Sequence, residues 1–397
     1  MSDTVARADE RRAWGWVAHL RSGGTTPWAA WSGGAGRAGG ADLSGPAERD
    51  GRYLPGAQQL ELLRRLNLES APAPLPADLV DRVLRASAPG RGRPDLELVG
   101  AASPSPFGPR PVDPVELPDD ELVRVATALL ADDVVAAGPP AAVEPPLTRP
   151  WRRHYRLVGD PLLADPLRAQ FVARGRPPGG ARPRILVLGA PADRMLADAF
   201  TARALDTGGP SWPEWLAILA DRDHLAPRVD LAAVARAWAR RASPAQVTLV
   251  LDPAQVGRLV GVRRRLVIPA RLPAEAVDLA RRVAAVLGLL VTPEARAALL
   301  GGTLAPWLAA AGGSGGGRLA VPEEHHDWLT ERAGRMRDQL RLAGYPVVGG
   351  PPRGDALSGV LPELAPGGVV HVADDGVLRL AITLLLRTPR PGPEARV

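Results

Sequence analysis

The stretch Arg184–Leu188, with the sequence RILVL, indicates its secondary structure more strongly than any other segment of the chain. Four aliphatic residues follow the arginine without interruption, which is typical of a strand buried on both faces of a parallel sheet. Gly189, Ala190 and Pro191 come next, and a helical pattern covers 191–206. This order predicts an α/β unit in which Gly189 lies at the carboxyl end of a central strand.

Strand and helix patterns alternate on both sides of this segment. YRLVG (155–159) and QVTLVL (246–251) are predicted strands, and RRLVI (264–268) is a third candidate. Strands that alternate with helices favour a doubly wound parallel sheet with helices on both faces. The helices predicted in this part of the chain cover 165–174, 191–206, 213–221, 230–241, 273–287, 293–300, 303–311, 322–343 and 375–386.

The first 150 residues have a different texture, and the chain is therefore predicted to contain three regions. Residues 1–56 form a segment rich in tryptophan and glycine that we expect to be irregular. Residues 57–150 form an acidic, proline-rich region with predicted helices at 58–68, 76–87 and 118–131. Residues 151–397 form the α/β region, interrupted by a flexible glycine-rich linker at 312–317. The overall prediction is an α/β fold with an N-terminal helical, Pro/Gly-rich region.

Composition excludes several kinds of chemistry. The 397 residues include no cysteine and no lysine. Disulfides, thiolate metal sites and thiol catalysis are thereby ruled out, as are Schiff-base lysines and the lysine of a Walker phosphate loop. The absence of cysteine favours the cytoplasm. No apolar run reaches the roughly 20 residues that a membrane helix needs, so we expect no membrane span.

Charge is unevenly distributed, although the formal net charge is only +6. The segment 95–144 carries ten acidic residues and two arginines, whereas 149–184 carries nine arginines and two aspartates. The basic excess therefore accompanies the predicted strands. This arrangement favours a local anion site over a uniformly basic surface.

Three groups of residues are candidate anion contacts. Backbone amides at the turn from Gly189 to Arg194 could hold an anion at the start of a helix, although such a turn is also an ordinary strand-to-helix connection. Arginines near the first strand could recognise phosphate or sulfate, or could form a solvated basic face. A Gly-Thr-Thr turn near the N-terminus is a weaker phosphate-loop candidate. The arginines are Arg152, Arg153 and Arg156, and the turn is Gly24, Thr25 and Thr26.

No catalytic or metal-binding residue can be assigned from the sequence. There is no G-x-S-x-G motif, and no histidine belongs to a recognisable acid–base pattern. The neighbours His325 and His326 fall on a predicted helix, where adjacent side chains diverge and do not chelate one ion. The N-terminal tryptophans at 14, 16, 28 and 31 could either form a stacking face or bury the segment against the protein.

The distal half of the chain resembles actinobacterial sulfotransferase-like proteins. That family has the motif R-D-P-x-x-R-x-x-S-x-Y after a buried strand, and its first Arg and its Ser bind the 3′-phosphate of PAPS. In ILVLGAPADRMLADAF (185–200), Pro191 and Arg194 match, whereas Gly189 and Ala197 replace the Arg and the Ser. Three further segments resemble the family in the same order: SWPEWL (211–216), residues 229–253 and residues 322–349.

This resemblance implies a P-loop-like fold with degenerate donor-binding motifs. Gly24, Thr25 and Thr26 retain the end of the family's P-K-x-G-T-T loop, but its lysine is missing. The expected function is that of a divergent, catalytically degenerate sulfotransferase-like protein that binds a nucleotide or another anion. PAPS is implied as a ligand by the resemblance alone.

Two other functions remain open. The missing donor residues, the acidic segment and the N-terminal tryptophans would also suit a non-catalytic partner of a sulfotransferase or of a cell-envelope glycan enzyme. The arginine clusters leave nucleic-acid binding as a third alternative. It ranks last, because the sequence contains no recognisable nucleic-acid-binding motif and the acidic segment would repel phosphate.

Overall fold

Residues 8–34, 54–86, 95–101, 110–141, 154–262, 266–268, 270–312, 316–350 and 354–387 are described by the computed structural model, together with the backbone of residues 2–7. The helices are α1 (Ser2–Arg21), α2 (Trp28–Ser32), α3 (Ala57–Ser70), α4 (Ala77–Arg85), α5 (Asp119–Ala137), α6 (Pro161–Ala173), α7 (Ala192–Ala204), α8 (Trp212–Asp221), α9 (Leu231–Arg241), α10 (Val256–Leu259), α11 (Ala274–Leu290), α12 (Pro293–Leu299), α13 (Ala305–Ala311), α14 (His326–Ala343) and α15 (Asp374–Arg387). The strands are β1 (Tyr155–Gly159), β2 (Arg184–Leu188), β3 (Val247–Val250) and β4 (Val347–Val348).

These elements belong to two compact units. Unit 1 contains 1–138, 282–299 and 373–397, and unit 2 contains 139–281 and 300–372. The chain therefore leaves unit 1 and returns to it twice. The sequence-based division at 56 and 150 differs from this arrangement, because α15 at the end of the chain packs against α5 and α3.

Unit 2 is built on a small parallel sheet. The four strands lie in the order β1-β2-β3-β4, and each is parallel to its neighbours. In the register, Leu186 lies beside Leu157 on one side and beside Thr248 on the other. The predicted strand at 184–188 is thus an inner strand, and the predicted parallel sheet flanked by helices is present.

Strand β2 buries both of its faces, as its uninterrupted apolar sequence predicts. Ile185 and Val187 belong to one hydrophobic core, which also includes residues of α7, α8, α9 and α14. Leu186 and Leu188 belong to a second core, which is completed by α6 and α10. All four side chains are fully buried. The helices of unit 2 therefore cover the sheet on both sides.

A glycine allows β1 to end beside β2. Gly159 has φ +96°, and a Cβ atom at this position would lie 2.1 Å from the carbonyl oxygen of Leu188. A larger residue would both strain the backbone and clash with β2. Glycine thereby permits the chain to turn directly from β1 into α6.

The strand predicted at 264–268 is not formed over its described part. Residues 266–268 have no regular structure, and 263–265 lie outside the described residues. The side-chain amide of Gln170 bonds to the backbone of Val267, whose N–H donates to Oε1 at 3.0 Å and whose carbonyl accepts from Nε2 at 2.7 Å. These bonds satisfy the groups that a strand partner would need. The fourth strand comes instead from Val347–Val348.

Unit 1 is helical, and α3 occupies its centre. This helix packs against α1, α4, α5 and α15. The leucines at positions 60, 63 and 66, whose spacing predicts the helix, are fully buried. The predicted helices near 76–87, 118–131 and 375–386 are also present, as α4, α5 and α15.

The N-terminal segment differs from the expected irregular structure because α1 extends over Ser2–Arg21. Trp16 and Trp28 are buried, with ring centres 5.3 Å apart. Their indole N–H groups donate to the carbonyls of Thr26 at 2.9 Å and Val99 at 3.0 Å. Of the two alternatives for the N-terminal tryptophans, burial describes this pair. Residues 35–53 lie outside the described residues.

Replacement of a β2 core residue should destabilise unit 2. We expect Leu186→Ala to lower the free energy of unfolding by about 2–5 kcal/mol, because it removes a fully buried side chain and leaves a cavity. Leu342→Ala, on the exposed side of α14, is the matched control and should stay within about 0.5 kcal/mol. Urea unfolding followed by circular dichroism measures both. Equal effects of the two replacements would contradict the buried position of β2.

Candidate functional site

Two buried carboxyl groups lie near the carboxyl ends of β1 and β2. Asp160 follows β1 directly, and its Oδ1 accepts hydrogen bonds from the amides of Leu162 at 2.9 Å and Leu163 at 3.2 Å. It thereby caps the N-terminus of α6, a position that favours aspartate. Asp198 lies on α7, and both residues are almost completely removed from solvent. We refer to Asp160 and Asp198 as the acid pair.

Arg271 compensates the charge of Asp198. Its Nε donates to Oδ1 at 2.7 Å and its Nη2 donates to Oδ2 at 2.6 Å. This two-point contact is the geometry in which a guanidinium binds a carboxylate most strongly. The hydrogen bond to Asp198 is the main cause that raises the pKa of Arg271, which therefore stays charged.

No described cationic side chain contacts Asp160 directly. The pKa of Asp160 is raised to about 8, mainly by burial, with further contributions from the charge of Asp198 and a hydrogen bond to that residue, while Arg271 opposes the rise. The Oδ2 atom of Asp160 receives no hydrogen bond from a described donor. At neutral pH Asp160 therefore keeps its proton beside the Asp198 carboxylate that Arg271 engages.

Arg271 also lines a cavity of about 270 Å³ within unit 2, which we call the Arg318 pocket. The wall combines the start of α7 and the start of α14 with two non-helical segments around 318–321 and 363–368. A parallel bridge between Leu319 and Val369 holds these segments together. The charged and titratable residues of the wall are Asp193, Arg194, Arg271, Arg318, His326 and Glu363.

Two of the three arginines in this wall already contact a carboxylate. Arg271 binds Asp198, and Arg194 binds Glu363. The backbone N–H of Glu363 donates to Asp193 at 3.0 Å, which ties the 363–368 segment to α7. By contrast, no described residue forms an ion pair or hydrogen bond with the guanidinium of Arg318. Arg318 is therefore the one arginine of this wall without a described contacting carboxylate.

His326 supplies a polar ring to the same wall. Its Nε2 lies 3.0 Å from the carbonyl oxygen of Val321. Since a carbonyl can only accept, Nε2 carries a hydrogen and donates it to this carbonyl. Among the described residues, no group of three or more histidine, aspartate or glutamate side chains has an arrangement that could hold a metal ion.

The structure separates the anion contacts predicted from the sequence. Arg194 lines the Arg318 pocket, but Gly189 does not. The Gly189 amide donates to the carbonyl of Val250 at 3.0 Å, and a Cβ here would lie 2.5 Å from a methyl carbon of Leu231. Its N–H is thus used within the fold. Arg152 and Arg153 lie outside the described residues.

The other predicted contacts lie elsewhere. Arg156 is an exposed residue of β1 beside Trp238, at the opposite end of the strand from Asp160. Gly24, Thr25 and Thr26 belong to unit 1, where several hydrogen bonds hold their turn. The Gly24 carbonyl accepts from Asn67 at 2.8 Å, the Thr25 carbonyl accepts from Arg64 at 3.4 Å, and the Thr26 hydroxyl lies 3.1 Å from Nε2 of His19.

Sequence reasoning missed the acid pair, Arg271 and Arg318. The order Asp160-Pro161 after a strand is a helix-start signal that points to a cap but says nothing about burial. Asp198 and Arg271 are 73 positions apart, so no local pattern relates them. Arg318 follows the glycine-rich linker, where the sequence offers no structural context.

Comparisons with protein-family models, with curated proteins and with solved structures find no match. The sulfotransferase-like resemblance therefore stays a prediction.

In the described part of the chain, no helix has both the length and the apolar character needed to cross a membrane.

The acid pair predicts an unusual pH dependence of stability. The pKa of Asp160 is about 8 in the folded protein, against an ordinary value of 3.8, so the folded state keeps a proton that the unfolded state releases between these values. The stabilisation is complete below pH ~4 and is lost as the pH rises through ~8. We expect the free energy of unfolding to fall across this window by up to about 1.4 kcal/mol per pH unit.

Asp160→Asn tests this assignment. Asparagine imitates the protonated acid and also caps helices well, so the variant should fold and lose the pH dependence attributed to residue 160. Asp206→Asn, at an exposed turn, is the control and should keep the wild-type profile. Urea unfolding at pH 5, 7 and 9 measures the difference. Parallel profiles for wild type and Asp160→Asn would contradict a proton held at Asp160.

Proposed function

We propose that unit 2 binds a small oxyanion, or the anionic end of a longer ligand, in the Arg318 pocket. The observation that supports this most directly is the unpaired Arg318 guanidinium in the wall of a cavity. An arginine offers several donors in a planar fork, and it binds phosphate, sulfate and carboxylate groups with charge-assisted hydrogen bonds.

Arg271 can contribute a second contact without giving up Asp198. Its Nε and Nη2 are engaged by that carboxylate, whereas Nη1 makes no hydrogen bond to a described residue. The carboxylate also fixes the plane of the guanidinium, so little side-chain freedom is lost when a ligand binds. In this proposal the unpaired charge of Arg318 attracts the anion electrostatically, and Nη1 of Arg271 supplies a pre-oriented hydrogen-bond donor.

The charge of the acid pair sets the field in the pocket. With Asp160 protonated, Arg271 faces the carboxylate of Asp198 alone. Arg318 contacts no described carboxylate, so its donors remain available for a ligand. Loss of the proton of Asp160 would add a buried negative charge near Arg271 and oppose anion binding.

Pocket size restricts the ligand. Sites for drug-sized molecules typically have volumes of about 300–1,000 Å³. The Arg318 pocket, at about 270 Å³, falls just below this range. It suits a single phosphoryl, sulfuryl or carboxylate group better than a complete dinucleotide-sized ligand.

The finer assignment, a divergent sulfotransferase-like protein with a P-loop-like sheet, is part of the proposal. It is supported by the ordered sequence resemblance and by the position of Arg194, which matches the second arginine of the family motif and lines the Arg318 pocket. Gly189 and Ala197 replace the two residues that hold the 3′-phosphate in that family. We therefore propose binding without efficient sulfuryl transfer. PAPS and its product PAP are the nucleotides to test.

Calorimetric titration at pH 7 with sulfate, phosphate, PAP and PAPS tests the proposed site. We expect at least one of these anions to bind, and Arg318→Gln to weaken binding about tenfold or more, because a charge-assisted hydrogen bond contributes about 1.5–3 kcal/mol. Arg222→Gln removes an exposed arginine that does not line the pocket and should leave the affinity unchanged.

The pH dependence of the affinity for anions gives a second measurement. Affinity should decrease as the pH rises through about 8 in the wild type and should vary less in Asp160→Asn, since the asparagine cannot acquire charge. Absence of binding by every anion at millimolar concentration would refute the proposal. An Arg318→Gln variant with wild-type affinity would refute the pocket as the binding site.

A further inference from the structure

A second cavity in unit 2 lies at the amino-terminal ends of the strands. It has a volume of about 720 Å³ and is bordered by β1, by the turn before β2, by the end of α9 and by the short helical turn before β3. We call it the amino-edge cavity. Its polar and aromatic wall residues are Arg156, Arg182, Trp238, Arg241, Ser243 and Gln246.

This wall contains three arginines and no carboxylate. Among the described residues, none pairs with Arg156, Arg182 or Arg241 through an ion pair or a hydrogen bond. The guanidinium carbons of Arg156 and Arg241 lie 5.4 and 5.5 Å from the ring centre of Trp238. A cation–π contact orients a guanidinium but does not neutralise it. The cavity therefore concentrates uncompensated positive charge.

Stabilisation of a helix dipole accounts for only one of the three arginines. Arg241 lies in the last turn of α9, where a cation stabilises the helix dipole. Arg156 is on a strand and Arg182 is on the turn that precedes β2, so neither has this role. Both arginines are exposed, and both belong to the segment 149–184, which carries a net charge of +7.

We infer that the amino-edge cavity binds a small polyanion, a molecule with two or more phosphate or sulfate groups. Three unpaired guanidinium groups around one cavity call for more than one anionic group, because each planar fork can engage a separate phosphate or sulfate. The volume lies within the range typical of small-molecule sites and leaves room for such a ligand.

Several features favour a small ligand over a nucleic-acid strand. The arginines surround a bounded cavity and do not follow an extended groove. Trp238 is half-buried and already contacts two guanidinium groups, so it is poorly placed to stack on a base. Ser243 and Gln246 add neutral hydrogen-bonding groups, which suit the oxygens of phosphate or sulfate.

Titration of the full-length protein with inorganic tripolyphosphate in low salt tests this inference. We expect saturable binding that Arg182→Gln and Arg241→Gln each weaken about tenfold. Arg240→Gln is the matched control, because it changes an exposed arginine next in sequence that does not border the cavity. It should change the affinity less than about twofold, a difference of under ~0.5 kcal/mol. Circular dichroism of each variant checks that the fold is retained.

Further titrations, with other ligands and another variant, identify the chemistry of the ligand and the site at which it binds. ATP and a disulfated disaccharide distinguish phosphate esters from sulfate esters, and stronger binding of either over inorganic sulfate supports the inference. Arg318→Gln should leave intact the tripolyphosphate binding that depends on Arg182 and Arg241, which separates this site from the Arg318 pocket. The inference is overturned if tripolyphosphate does not bind at millimolar concentration, if Arg240→Gln weakens binding as much as Arg182→Gln, or if a single-stranded oligonucleotide binds more tightly than tripolyphosphate.

Discussion

The burial of β2 on both faces is the constraint on which the rest of unit 2 depends. Its four aliphatic side chains alternate between two hydrophobic cores, so helices must cover both sides of the sheet. Its backbone groups must also be satisfied, and parallel pairing with β1 and β3 does this. Once these requirements are met, the strand ends are the positions at which polar side chains can gather. The acid pair and the amino-edge cavity lie at such ends.

The acid pair shows how the fold accommodates a polar group close to this apolar centre. Asp160 is needed as a helix cap because α6 begins immediately after β1. Capping places its carboxyl group in a buried site, beside a second carboxylate that Arg271 engages. A proton kept on Asp160 avoids the high free-energy cost of two adjacent buried charges. The titration behaviour of the site is thus a consequence of how closely α6 follows the sheet.

The chain contains arginine and no lysine, and the pairing of its arginines differs between the two cavities. In the Arg318 pocket, two arginines are paired with carboxylates and one is unpaired. In the amino-edge cavity, three arginines are unpaired and an indole ring orients two of them. A guanidinium paired with a carboxylate has a fixed plane and the pair has little net charge, whereas an unpaired guanidinium keeps its full attraction for anions. The first arrangement favours selectivity, and the second favours multiply charged ligands.

The amino-acid sequence alone predicts those helices and strands whose residue patterns are local. Local residue patterns predict the strands at 155–159 and 184–188, the helix around Leu60, Leu63 and Leu66, and the basic segment around β1.

The sequence does not predict the helix over Ser2–Arg21, because its neighbouring glycines and tryptophans suggest irregular structure. The burial of Trp16 and Trp28 is visible only in the packed unit. The strand candidate at 264–268 failed because the distant side chain of Gln170 bonds to the backbone of Val267. The acid pair, the contact between Arg271 and Asp198, and the return of the last helix to unit 1 required three-dimensional packing. Such contacts join residues far apart in the chain, and their energies depend on burial, which no local pattern of residues specifies.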